Sequence, residues 1–488
     1  MRTSQSHPLQ IAQVRHDENH GRIGVTFCPG KKQTNAATGA WNRNLEIDLD
    51  AARDWGAAAV VTLVEDHELE ALGVEAMGEE VRSRHMAWHH LAIPDVSVPS
   101  AQFECQWEVV GHQLRAILRS GFNVLVHCKG GLGRAGTISA RLLVELGTVP
   151  EVAISSVRAA RPGAIETEPQ RLHVLDCTHV LELVPDTSGD AIRSRAIGAL
   201  LGLAIGDAVG TTLEFRKRDS YPMLTDMIGG GPFSLKPGEW TDDTAMALAL
   251  ADSLERNPDL DEKDLMARFV DWHEQGTYSC TGRCFDIGTT TREALSRWRL
   301  SGNPVAGSID PMTAGNGSLM RLAPVAIRHF RNRERLRDVA ARQSRTTHAA
   351  PEAVDACVVY AEAIADAIEG QTRSEVLRSR PTPSAGAIGN ILAGSWRGKS
   401  RSAIRASGYV AHSLEASLWS IGRTASYRDA VLTAANLGED ADTTAAITGQ
   451  LAGALYGLSG LPDEWLGQVA WKPRIMGVAE KLIIAPKQ

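Results

Sequence analysis

Cysteine is scarce in this chain: seven among 488 residues, scattered and odd in number. That excludes a disulfide-stapled scaffold and suits a reducing compartment, so a cytoplasmic location is expected. Cys280 and Cys284, in "SCTGRCFD", are the one close pair. Without a second pair or a histidine cluster beside them, zinc is not expected there. No apolar run reaches the roughly 18 residues that a membrane helix needs. The opening "MRTSQSHPLQIAQVRH" lacks the apolar core of a secretory signal. A large excess of one charge is also missing. The net value is −7, which leaves no electrostatic footprint for nucleic acid or an anionic membrane, and neither is expected as a stable partner. There is no repeat of fixed period, and nothing in the sequence bears on oligomeric state.

What is present describes a globular chain: 43% hydrophobic and 22% charged residues. The length supplies two or three separate cores. The character changes near residue 186. Before it, "AAAVVTLV" (57–64) and "FNVLVHC" (122–128) are short, β-branched and bounded by polar residues or Gly, as buried strands are. "QWEVVGHQLRAILRSG" (106–121) has helical apolar spacing and stops at Gly121. Alternating strand and helix predicts an α/β layer architecture for residues 1–185. "VPDTSGD" reads as a polar linker, placed at 186–191. From 192 to 488 strand signals nearly vanish. Six segments rich in Ala and Gly, beginning with "AIRSRAIGALLGLAIGDAVG" (191–210), predict a compact all-α domain whose small residues let helices approach closely.

In the first domain, "LVHCKGGLGRAGT" sets Cys128 between a predicted strand and a predicted helix, with Arg134 six residues on. Gly130, Gly131 and Gly133 let the loop from Lys129 onward curl its N–H groups inward, and the helix adds its positive end. Such a nest binds a tetrahedral dianion and favours a thiolate at Cys128, a nucleophile. Arg134 can grip two oxygens with its planar fork. Asp95, in "IPDVSVP", is the candidate acid for the leaving oxygen. These stretches, with "RPGAIETEPQ" (161–170), resemble the dual-specificity branch of the protein tyrosine phosphatases, in its kinase-associated-phosphatase-like group. The resemblance covers roughly residues 20–182. It implies Cys128 as nucleophile, Arg134 as clamp, Asp95 as acid and a phosphorylated substrate. The family carries Ser or Thr directly after the Arg; here Ala135 stands there, with Thr137 two places on. Two readings follow: a phosphatase of slow turnover, or a module that binds phosphate without hydrolysing it.

In the second domain, "WTDDTAM" places Asp242 and Asp243 in a first helical turn behind Thr241 as N-cap, where the macrodipole favours negative charge. Two hundred residues on, "NLGEDADTTAAITGQL" repeats the device with Asp440, Asp442 and Thr443. Carboxylates at two such helix entries repel unless a cation lies between them. Hard oxygen donors select Mg²⁺ or Mn²⁺, and this many suits two ions better than one. "LLGLAIGDAVGTTLEF" (200–215) offers Asp207 and Glu214 just past a helix end. Glu214 is a candidate to reach the ions or hold the attacking water, and Asp207 serves equally well as a structural cap. "GNGSLMR" reads as a loop whose Asn316, Gly317 and Ser318 cradle a diphosphate, with His348 beside the ligand. These stretches, with "GRCFDIGTTTREAL" and "GYVAHSLEASLWSI", resemble the ADP-ribosylglycohydrolase family, in the group of dinitrogenase-reductase-activating glycohydrolase. The resemblance implies an all-helical fold around a binuclear Mg²⁺ or Mn²⁺ centre. It implies Thr241, Asp242, Asp243, Asp440, Asp442 and Thr443 as ligands, Glu214 at the edge, and Asp286 and Tyr409 near the substrate. Thr289 stands where some arginine-specific members carry Asn, so the acceptor stays open. The expected chemistry is hydrolysis of the bond joining ADP-ribose to a protein or nucleic-acid acceptor. The distal ribose develops oxocarbenium character, nearby carboxylates stabilise it, and Asp243 or Glu214 activates the water.

Overall fold

The run at 122–128 forms the central strand of a five-stranded sheet, with the run at 57–64 beside it. A computed structural model of the chain describes residues 1–36, 39–380 and 386–484. It divides into two units, Met1–Glu182 and Leu183–Gln488, apart from Arg397–Ser400 and Gly422–Ala425, which group with the first. In the first unit the strands are β1 (Ala12–Val14), β2 (Ile23–Phe27), β3 (Lys32–Gln33), β4 (Trp41–Asn42), β5 (Ala57–Thr62), β6 (Ala87–His90) and β7 (Asn123–Cys128). The main sheet has the order β1-β2-β7-β5-β6, and β3 and β4 pair as a separate ribbon. Only β1 runs antiparallel in the main sheet. Every residue of β2, β5 and β7 is buried, as expected of parallel strands covered on both faces. Helices α1 (Asp66–Ala71), α2 (Ala101–Arg119) and α3 (Gly133–Glu145) surround the sheet's functional edge. α2 begins five residues before the predicted stretch because Ser100 caps it, its hydroxyl accepting from the Phe103 amide.

The second unit holds no strand among its described residues. Its helices include α4 (Gly189–Gly210), α5 (Asp242–Arg256), α6 (Arg333–Thr347) and α7 (Ala441–Tyr456). α4 starts inside the expected linker, where Ser188 caps it. It also runs through to Gly210, so Asp207 lies inside its last turn rather than past its end. With the short turn that follows, Gly189–Leu213 has an 18-residue window of mean hydropathy 1.6, enough by length and composition for a bilayer, contrary to the sequence expectation. Yet 94% of that window is buried in the protein, which marks a core helix.

α4 lies against α7 at backbone contact. A Cβ built on Gly198, Gly202, Gly206 or Gly210 would fall 2.4, 2.3, 2.2 or 2.3 Å from the carbonyl oxygen of Gly453, Gly449, Ala445 or Ala441. Both sides repeat at every fourth residue, one stripe on each helix. The two helices run antiparallel, so the end of α4 stands beside the start of α7. Tyr427 clamps the pair by donating to the Gly202 carbonyl at 2.7 Å.

The expected outcome of Gly202→Val is a loss of about 1–3 kcal/mol of stability or more, since backbone must move to admit the side chain. Gly467→Ala, where a Cβ meets nothing within 4 Å, leaves stability unchanged or slightly higher. Denaturant melts of both variants check this, and equal stabilities would contradict the packing.

Candidate functional site

In the first unit β7 ends at Cys128 and α3 begins at Gly133, so the intervening loop must turn sharply at the strand edge. Gly131 makes the turn with φ +70°, and a Cβ there would sit 2.5 Å from the Phe27 backbone. Its amide donates to Cys128 Sγ at 3.2 Å, the geometry of an anion nest around a thiolate. Arg161, in the third expected segment, holds the loop from outside by donating to the Gly131 and Gly130 carbonyls. Lys31 donates to the Lys129 carbonyl at 3.3 Å, and burial draws its amine down to about 8. His127, one residue before the nucleophile, is buried against Thr62 and pushed down to about 3, so it is neutral and structural.

Arg134 is 2% exposed and fully engaged. It donates to both oxygens of Glu68, at 2.6 and 3.0 Å, and to the Ile93 carbonyl. Asp95 Oδ1 lies 2.9 Å from Arg134 Nη2. Burial alone would raise Glu68, but the hydrogen bonds and charge of Arg134 hold it below the ordinary carboxylate range. Glu68, on α1, carries no motif and was not foreseen. Lys129 Nζ lies 3.9 Å from Glu68, and Gly130 faces open space. Gly133 is fixed by contact: a Cβ would meet Glu166 at 2.4 Å. Thr137 donates to the Gly133 carbonyl, so its hydroxyl is committed inside α3 and does not stand in for the missing Ser beside Cys128.

In the second unit the two expected acidic helix starts do converge. Thr241 takes the N-cap position of α5, yet its side chain makes no capping bond. The cap comes from α4: Asp207 accepts from the Thr241 amide and hydroxyl (2.9 Å each) and from the Thr244 amide and hydroxyl (3.0 and 2.6 Å). Glu214 does the same for α7, one oxygen accepting from the amides of Ala441 and Asp442 at 2.7 and 3.3 Å. One helix end and its following turn therefore cap two other helices with carboxylates. Thr241 Oγ1 is 3.3 Å from both Asp243 and Asp442, and Thr443 Oγ1 is 3.3 Å from Asp243. Oxygens of Asp207, Asp243 and Asp442 lie within 4.8 Å of one another, as do those of Glu214, Asp440 and Asp442.

Burial first, and then the neighbouring carboxylates, lifts Asp242 and Asp243 well above the usual range. The buried Arg321 feels the charge of Asp242, but its hydrogen bonds to oxygen go to Gln343, Thr346 and Thr347 rather than to the cluster. Asp207 and Asp440 are pushed up to about 7 and Asp286 to about 11 by burial and the same crowding, and Glu214 is raised further. Asp243 Oδ1 is a buried acceptor without a hydrogen-bond partner. An all-oxygen, acid-rich donor set with an orphaned buried acceptor fits hard divalent cations.

Above the cluster opens a cavity of about 690 Å³. Its wall includes Glu214, Asp242, Asp286, Asn316, Gly317, His348, Asp440 and Thr443, together with Thr289. Asp243 is fully buried beneath this wall. Of the expected diphosphate cradle, Asn316 and Gly317 line the cavity, while the Ser318 side chain turns away. Ser318 is 0% exposed and its hydroxyl bonds Ser344, away from the cavity. The amides of Asn316, Leu319 and Met320 are spent on backbone carbonyls. Asn316 instead donates to Asp440 at 2.7 Å and so holds a carboxylate of the cluster. Tyr409 is also displaced from its expected role, because its hydroxyl donates to Glu352 and it is not on the cavity wall. At the other pair, Cys284 Sγ lies 3.7 Å from His273 Nδ1, and burial pushes the thiols of Cys280 and Cys284 up to about 12.

His348 does face the cavity. Arg321, buried and able only to donate, gives a hydrogen bond to Thr347 Oγ1 at 2.9 Å. Thr347 Oγ1 shares a hydrogen bond of 2.9 Å with His348 Nδ1, and Nε2 lies beside Gly315 and Gly317. Burial draws this imidazole down to about 3, so the ring is neutral.

The second unit thus presents a carboxylate-lined cavity among helices, and the first a cysteine-centred anion nest at the edge of a parallel sheet. The comparisons agree with both halves. Residues 188–488 match the family described as ADP-ribosylglycohydrolase, and residues 38–148 match a family described as polymorphic toxin system, DSP-PTPase phosphatase. The chain belongs to the ADP-ribosylglycohydrolase family. It is 47% identical over 334 residues to ADP-ribosylarginine hydrolase Tri1 of Pseudomonas putida, covering 67% of this chain and 86% of that protein. It is 30% identical over 148 residues to cyclin-dependent kinase inhibitor 3 of Rattus norvegicus, covering 30% of this chain and 66% of that protein. A solved chain described as an ADP-ribosylglycohydrolase-related protein complex superposes with TM-score 0.54 at 36% identity, over 60% of this chain and 98% of its own.

The raised carboxylates carry a pH signature. A folded-state pKa raised from 3.8 to about 7, as at Asp207 and Asp440, favours folding below the ordinary value, and that stability is lost as pH rises through about 7. Cations displace those protons. The melting temperature gained on adding Mg²⁺ to chelator-stripped protein is therefore expected to grow from about pH 5 to about pH 8. A gain independent of pH would contradict the assignment.

Proposed function

We propose that the second unit removes ADP-ribose from arginine side chains of proteins, using divalent cations, and that the first unit is a cysteine-dependent phosphatase. The boundaries we assign are 1–185 and 192–488. One observation carries the first part: carboxylates from Asp207 to Asp442 gather under one cavity, and their strongest charged neighbours are one another. Arginine as acceptor is supported by the 47% identity to an ADP-ribosylarginine hydrolase. Asp242, Asp243, Asp440 and Asp442, with the hydroxyls of Thr241 and Thr443, would hold two Mg²⁺ or Mn²⁺ ions. Such ions supply Lewis-acid binding of the ribose hydroxyls next to the scissile bond. Glu214, pinned by two amides through one oxygen, would take a proton from the attacking water once bound cations have displaced its own. Asp242 and Asp286 face the positive charge that develops on the ribose ring. His348 presents Nε2 to the substrate. Expected outcomes are release of ADP-ribose from arginine-linked substrate, loss on EDTA treatment and recovery with Mg²⁺. Asp243→Ala is expected to lower kcat/KM by about a thousandfold. Activity that survives both would sink the metal reading, and release only from serine- or base-linked substrate would sink the acceptor.

In the first unit, Cys128 attacks phosphorus, and Arg134 exchanges Asp95 for phosphate oxygens while Glu68 keeps its plane. Asp95, with its side chain 58% exposed, is then free to protonate the leaving oxygen. A second reading, phosphate binding without turnover, is favoured by Ala135 and by the committed hydroxyl of Thr137. Hydrolysis of an aryl phosphate by the wild type, its abolition in Cys128→Ser, and a rise of about tenfold in Ala135→Ser, the worth of one hydrogen bond to the leaving thiolate, are expected. A wild type that binds phosphotyrosine peptide yet releases no phosphate would establish the second reading instead.

A further inference from the structure

Away from both sites, the turn after β1 gathers three side chains that fit a metal. Ligand atoms of His16, Asp17 and His20 lie within 4.8 Å of one another. His16 Nε2 is 3.8 Å from Asp17 Oδ2, and His20 Nδ1 is 2.7 Å from Asp17 Oδ1. The His16 and His20 rings meet edge to face with centroids 4.9 Å apart. A third imidazole lies near: the point a Cβ on Gly147 would occupy is 3.7 Å from His16 Nε2 and 3.6 Å from His179 Nε2.

The first ligand is already oriented from behind. His16 Nδ1 shares a hydrogen bond of 2.8 Å with Thr148 Oγ1. With Nδ1 taken up, Nε2 is turned toward Asp17, the arrangement by which an outer partner aims a metal-binding imidazole. Asp17 Oδ1 also accepts from the amides of Asn19 and His20, at 2.8 and 3.1 Å, which fixes the carboxylate in the turn. Arg119 and His179 are the other charged or titratable groups acting on His16, and Arg119 opposes a cation.

We propose that His16, Asp17 and His20, with His179 completing the set, bind one divalent transition-metal ion, zinc by preference. Imidazole nitrogens with one carboxylate suit Zn²⁺ in four-coordinate geometry, whereas Mg²⁺ and Ca²⁺ take oxygen donors. This distinguishes the site from the all-oxygen cluster of the second unit. Its consequence is structural: the ion ties the turn after β1 to the segment at 179 near the end of the first unit, closing a long stretch of chain.

The test uses the full-length protein, stripped with chelator, held in excess Mg²⁺ to fill the oxygen site, and titrated with Co²⁺. Four-coordinate Co²⁺ with nitrogen ligands absorbs strongly in the visible, and octahedral Co²⁺ on oxygens only weakly. We expect one equivalent to give the strong band and Zn²⁺ to bleach it. His16→Ala should lose the band, and His20→Gln and His179→Asn should weaken Co²⁺ binding by about tenfold or more. ADP-ribose release should stay unchanged in all three. If His16→Ala fails to fold, His20→Gln decides, because its backbone contacts lie in the turn itself. No strong band in the wild type overturns the proposal. So does His20→Gln protein that binds Co²⁺ as tightly as the wild type, as a site at Cys284 and His273 would give.

Discussion

Helices α4 and α7 meet backbone to backbone, with glycines 198, 202, 206 and 210 set against carbonyls of the facing helix, and the active cavity of the second unit depends on that contact. The approach is too close for any side chain to intervene. Because the helices run antiparallel, it brings the last turn of α4 and the residues just after it to the first turn of α7. Asp207 and Glu214 then find unpaired helix amides waiting for them, and each becomes a cap for a different helix. A wider helix spacing would leave those amides to water and pull the two acidic helix starts apart.

The cluster so formed is a liability without a ligand. Buried carboxylates raise one another's proton affinity until several are protonated, and one oxygen of Asp243 has no donor. The surrounding residues hold the charge in place without neutralising it. Asn316 and the hydroxyls of Thr241 and Thr443 donate to it. The first unit applies the opposite polarity. Inward amides, a helix N-terminus and Arg134 make a pocket for an anion, and two carboxylates, Glu68 and Asp95, occupy the arginine instead. Each unit thus presents uncompensated or provisionally compensated charge where its substrate or cation belongs.

Much was legible because it is local. The buried strands at 57–62 and 123–128 show in β-branched runs, and each of the six helical stretches read in the second unit begins or ends within two residues of a helix. The strand–Cys–glycine–Arg–helix order defines the nest, since backbone geometry alone positions its parts. The misreadings are all non-local. Ser318 and Tyr409 sit in segments that border the cavity, but which way each side chain turns is decided by Ser344 and Glu352, far away in sequence. Thr241 has the composition of a cap, yet a carboxylate thirty-four residues earlier takes the role. Glu68 and Arg321 carry no signal at all, because an ordinary charged residue acquires a function only from the partner it meets.

The sequence by itself determined two domains of different class, a thiolate nest, and two acidic helix starts that call for a cation, since these rest on periodicity, turn chemistry and short-range charge. Only the tertiary structure decided that the acidic starts share one site, which carboxylates cap and which face the cavity, and that Arg134 is held by Glu68. Those outcomes depend on which helix ends pack together, and packing is a property of surfaces from distant parts of the chain.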